Sequence, residues 1–135
     1  MAKRPRGSTR RRRPTTVADF EDLVERALGS IPEPFARTLD EVAIVIEDEP
    51  SRTQLRESGL RPDEGLYGLY EGVPRTEWAA DWAFVPNKIT LFRIPLQEDF
   101  PDPAERSLEI ERTVVHELAH HAGIDDDRLL ELGYD

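Results

Sequence analysis

The stretch "TVVHELAHHAGIDDDRLLELGYD", residues 113–135, holds all three histidines of the chain, His116, His120 and His121, within six positions. It closes a longer segment, "LQEDFPDPAERSLEIERTVVHELAHHAG", that opens on prolines and ends on Gly123. Proline suits the first turn of a helix and glycine the position just past its end, so the segment predicts a long helix from Pro103 or Ala104 to Ala122. Leu108, Glu111, Val115, Leu118 and Ala122 fall near one stripe of that helix, and Val114 widens it. "DDDRLLELGYD" predicts a short closing helix, started by aspartates that suit the positive end of its dipole.

Inside the long helix, His116-Glu117-Leu118-Ala119-His120 has the form H-E-x-x-H. Helical residues four apart differ by about 40° in direction, so His116 and His120 project from one face and can grip one ion. Glu117 points to the flank of that face, the placement a general base needs beside a metal-bound water. His121 turns about 100° from His120 and is expected at the surface or in a supporting role. The chain has no cysteine, so a metal site here is built from imidazole and carboxylate. A catalytic zinc usually takes three protein ligands. A left-handed turn at Gly123 would swing the chain back towards the pair, and spacing alone leaves Asp125, Asp126 and Asp127 all open as the third donor. One of the three is also expected to cap the closing helix. Glu131 is expected to pair with Arg128 or solvent.

Working outward, "TTVADFEDLVERALGS" reads as a first helix, with Thr16 as N-cap, Asp19 three residues on and Gly29 as its end. "EVAIVIED" is a β-branched run expected as a buried central strand. "EPSRTQLRESGLRPDEG" reads as a long loop, and "LYGLYEG" as a short strand. "VPRTEWAADWAFVPN" reads as irregular, with Trp78 and Trp82 as packing residues. "KITLFRIP" is a third strand, with Ile89 and Leu91 on one face, Thr90 and Phe92 on the other, and Pro95 as its stop.

Charge divides the chain. Seven of the eighteen Lys and Arg lie between Lys3 and Arg13, and all twenty-eight Asp and Glu come later, so the body carries −17 while the whole carries −10. Residues 1–14 are therefore expected as a disordered basic arm, and residues 15–135 as one domain. Such an arm could meet nucleic acid weakly and without sequence preference, anionic lipid, or the protein's own acidic surface. The acidic body itself would repel phosphates. No apolar run follows the initial positive charges and none approaches a membrane span, so a soluble, cytoplasmic protein without membrane partner is expected.

"HELAHHAGIDD" resembles the extended metzincin sequence H-E-x-x-H-x-x-G-x-x-H, with His116, Glu117, His120 and Gly123 matching and Asp126 standing at the last histidine. Aspartate there is similar to the snapalysin-type bacterial peptidases. Together with "LYGLYEGVPR" and "ITLFRIP", the stretch resembles the small bacterial zincin-like metallopeptidase family, over most of the chain from about Val17. That resemblance implies an α+β domain, a small twisted sheet packed on the active-site helix with a short C-terminal helix. It implies one zinc ion held by His116, His120 and Asp126, Glu117 as the base, and a peptide or protein substrate. It also implies "KITLFRIP" as the edge strand above a cleft, where an extended peptide adds to the sheet. The chain departs from metzincins in having Met1 as its sole methionine, hence no Met-turn below the metal. Tyr67, Tyr70, Arg75 and Tyr134 are the side chains available as electrophilic groups. Beside the peptidase stand two other readings: a metal-binding module without catalysis, and a nucleic-acid-associated protein acting through the arm.

Overall fold

The computed structural model describes residues 1–4, 16–72 and 87–133. Among these, four strands form one sheet: β1 (Ala2–Arg4), β2 (Ala43–Glu47), β3 (Gly65–Glu71) and β4 (Lys88–Phe92), in the order β1-β3-β4-β2. β1 and β3, and β3 and β4, pair antiparallel, whereas β2 and β4 run parallel. The helices are α1 (Val17–Leu28), α2 (Phe35–Thr38), α3 (Arg52–Glu57), α4 (Arg93–Asp99), α5 (Pro103–His121) and α6 (Asp126–Glu131). The expected α+β class and helix-backed sheet hold, and no described helix is long and apolar enough to cross a membrane.

Local sequence explains most of these boundaries. Thr16 and Asp19 form a reciprocal capping box on α1, whose Phe20, Leu23, Val24 and Ala27 are buried. Asp102 caps α5 through the Glu105 N–H, with Pro103 in the first turn. Ile89 and Leu91 of β4 join α1 and α5 in the main core, while Phe92 packs with Leu55 and Leu66 on the opposite sheet face. That alternation agrees with the period-2 reading of "KITLFRIP".

Four expectations are corrected. β2 is an edge strand, not a central one; its β-branched run is only partly covered, and β4 takes the middle of the sheet. "KITLFRIP" is accordingly not the edge above the site, because β4 has a neighbour on each side. The expected loop after β2 contains α3, started by a Ser51–Gln54 capping box that the surrounding turn formers obscured. Beyond β4 the chain turns directly into α4, because Pro95 lies in a first turn that needs no donor from it.

The basic arm also begins differently from its expectation of disorder. Ala2–Arg4 pair with β3 as an outer strand, and Lys3 and Arg4 meet Glu64 and Asp99 of the chain's own acidic body. Residues 5–14 of that arm, the two tryptophans, Arg75 and Tyr134 lie outside the described residues.

One close approach sets the site. A Cβ on Gly68 of β3 would stand 2.5 Å from Thr113 Cγ2 of α5, so only glycine there lets the helix lie this close to the sheet. Thr113 and Glu117 are four apart and share the face that Gly68 admits.

Candidate metal centre

α5 buries Arg106, Ile110, Thr113, Val114, Glu117, Leu118 and His121, a stripe in which polar residues replace apolar ones at several turns. Of the expected stripe, Val114, Val115 and Leu118 are buried, whereas Leu108 is exposed; Ile110 and the polar Thr113, Glu117 and His121 complete the buried face. His116 and His120 lie on its margin, about a quarter exposed.

Past His121 the helix ends as the glycine predicts. Gly123 has φ +80°, its N–H donates to the His120 carbonyl, and the Ile124 N–H donates to the Ala119 carbonyl. This pair of backward bonds is a Schellman closure, stable here because glycine carries no side chain into the left-handed region. The chain then reverses, and Asp125 becomes the N-cap of α6 by accepting from the Arg128 N–H at 2.9 Å. With Asp125 committed to the backbone, Asp126 is the aspartate turned to the histidines. Glu131 pairs with Arg128 at 2.8 Å.

His116, His120 and Asp126 form the cluster, with one donor atom of each lying within 4.8 Å of the others. Asp126 Oδ1 is 3.3 Å from His116 Nε2 and 3.2 Å from His120 Nε2. Zinc bonds of about 2.0–2.1 Å at a tetrahedral angle put donor atoms roughly 3.3 Å apart, and the two distances from Asp126 have that value, so the cluster suits one ion. Electrostatics agrees. Burial holds the His116 pKa below that of a free imidazole against the pull of Glu117, and the hydrogen bond from His120 holds the Asp126 carboxyl below its usual value. Neutral imidazole and ionised carboxylate are the forms that ligate.

Glu117 is fully buried beside this cluster. Its Oε1 accepts the backbone N–H of Tyr70 in β3 at 2.9 Å, which fixes the carboxylate to the sheet. Its Oε2 makes no hydrogen bond but pairs with the Met1 amino nitrogen at 3.3 Å, and it faces the histidines, 3.8 Å from His116 Nε2 and 3.7 Å from His120 Nδ1. The Tyr70 anchor is not legible in the sequence, because a main-chain N–H has no residue signature.

Two further groups complete the surroundings. His121 is fully buried rather than at the surface, its Nδ1 2.9 Å from the Tyr70 hydroxyl and its Nε2 3.5 Å from Glu41; that hydroxyl donates to Asn87. His121 thus braces the strand that anchors Glu117 and stays off the donor face, as its direction on the helix required. Beside His116 a depression is lined by Pro32, Leu108, Glu111, Arg112 and Val115. Tyr67 of β3 points away from the cluster and donates to Asp99 at 2.6 Å, and burial raises its pKa.

A helix carrying two imidazoles and a carboxylate, backed by a small sheet and closed by a glycine turn, defines a zincin-type metal domain. The family model for zincin-like metallopeptidases matches residues 39–134, and the chain belongs to that family. No curated protein matches it.

Proposed function

We propose that the protein is a zinc-dependent peptidase in which His116, His120 and Asp126 hold one zinc ion and Glu117 is the general base. The observation that carries this reading is the coincidence of a cluster of two imidazoles and a carboxylate with a fully buried carboxylate, Glu117, whose Oε2 faces it. Family membership supports the same chemistry. Zinc bound there supplies Lewis acidity to the scissile carbonyl and lowers the pKa of the attacking water. Glu117 accepts the water proton on Oε2 and returns it to the leaving nitrogen, while Oε1 stays bonded to the Tyr70 N–H so that the carboxylate does not rotate away. The Asp125 cap and the Gly123 turn hold Asp126 towards the imidazoles.

The test pairs metal content with turnover. Purified protein is expected to bind one zinc per chain and to cleave members of a broad peptide library, and Glu117→Gln is expected to keep the zinc and lose cleavage. Zinc at full stoichiometry with no cleavage by either protein would leave a metal-binding module. Failure to bind zinc, even after its addition, would remove both readings.

A further inference from the structure

β1 occupies the outer edge of β3, on the side of the sheet where Glu117 reaches the Tyr70 N–H. Ala2 lies opposite Gly68, Lys3 opposite Leu66 and Arg4 opposite Gly65, with one register shift between Ala2 and Lys3. The strand heads into the site: the Met1 amino nitrogen is 3.3 Å from Glu117 Oε2, the same oxygen that no hydrogen bond satisfies. At the other end Arg4 grips Asp99 through two bonds, Nε to Oδ2 and Nη2 to Oδ1, each 2.7 Å. The Asp99 side chain is 3% exposed and also accepts from Tyr67. Between these ends Lys3 Nζ meets Glu64 at 2.7 Å.

These contacts have the form of a bound peptide. An extended segment adds to a sheet edge, its leading nitrogen stands at the proposed base, and a guanidinium three residues on fills a buried carboxylate site. A buried carboxylate stripped of its cation is strongly unfavourable, and the planar fork of arginine matches carboxylate geometry better than lysine does.

We propose that Met1–Arg4 is a resident pseudosubstrate, and that Asp99 is the specificity-determining residue of the groove it fills. The groove along β3 takes an extended peptide with arginine at the fourth residue after the bond to be cleaved, and β1 must leave before such a peptide enters. The placing of the cleaved bond before Met1 rests on the peptidase reading above, whereas the groove and its arginine site do not.

The test uses the full chain and the tetrapeptide Met-Ala-Lys-Arg amide carrying a fluorophore after arginine, with binding read by polarisation. Arg4→Ala is expected to bind the peptide at least tenfold more tightly than wild type, whose groove is filled. Alanine in place of the peptide arginine is expected to remove at least tenfold of that affinity, and Asp99→Asn combined with Arg4→Ala is expected to erase the difference between the two peptides. If Arg4→Ala does not fold, Arg4→Gln, of similar reach, carries the same comparison. Equal affinity for wild type and the Arg4 variant, or indifference to the peptide arginine, would overturn the proposal. Tight, arginine-dependent binding without cleavage would sink the peptidase reading and leave the groove. Cleavage of a peptide library that is unaffected by Arg4→Ala would leave the peptidase and sink the strand as its inhibitor.

Discussion

Glu117 and Asp126 are carboxylates of one site, nine positions apart, in opposite physical situations. Glu117 is fully buried on a nineteen-residue helix and bonded to the sheet through Tyr70. Asp126 opens a six-residue helix, and its side chain is 71% exposed. The first is positioned by tertiary structure, the second by a glycine turn and a cap. The difference suits the two tasks proposed for them. A base that moves a proton has to hold its direction, whereas a metal donor is drawn into place by the ion it binds.

Substitutions can break that contrast. Glu117→Gln should produce the largest loss, roughly 100- to 10,000-fold in kcat/KM with zinc content unchanged, since an amide still accepts the Tyr70 N–H and cannot take a proton; steady-state kinetics beside metal analysis checks it. Asp126→Ala should instead weaken zinc binding more than tenfold while barely altering the melting temperature of the chelated protein, as expected of an exposed ligand; competition with a chromogenic chelator reads the affinity. Gly68→Ala forces a Cβ against Thr113 and should cost about 1–3 kcal/mol by overpacking, while displacing Glu117 from the donor triangle. Denaturant unfolding measures the first effect, and kcat at saturating zinc the second. Gly123→Ala should cost about 1–2 kcal/mol for placing a side chain at φ +80°, with a loss of zinc affinity following from the displaced Asp126.

The smallest expected effect is on pH. The folded protein holds His116 below the 6.5 of a free imidazole and Asp126 below the 3.8 of a free carboxyl. Both groups bind fewer protons folded than unfolded, so stability falls as pH drops, first through 6.5 and then through 3.8. Melting curves in chelator from pH 8 to pH 5 should show the first loss, reduced in His116→Gln.

The sequence was most readable where local chemistry decides structure. The α1 and α5 caps, the strand period of β4, the H-E-x-x-H face and the glycine turn all follow from neighbouring residues. The choice among Asp125, Asp126 and Asp127 was narrowed by resemblance; in the fold Asp125 caps α6 and Asp126 is the one that faces the histidines. What stayed hidden depends on distant pairing. β2 reads as a central strand because β-branched runs look alike at an edge or in the middle, and only the sheet order tells them apart. Arg4 reads as one of seven basic residues of a tail until Asp99, ninety-five positions away, selects it. The burial of His121 came from Tyr70 and Glu41, which composition cannot bring together.

The seating of α5 at Gly68 has a consequence for redesign. Because the proposed base is referenced to a main-chain group of β3, its location does not depend on the side chains of the depression beside His116. The depression beside His116 can therefore be varied to change what enters, with the proposed reactive oxygen left where it stands. Exchanging the glycine at that one contact is the alteration such a scheme has to avoid.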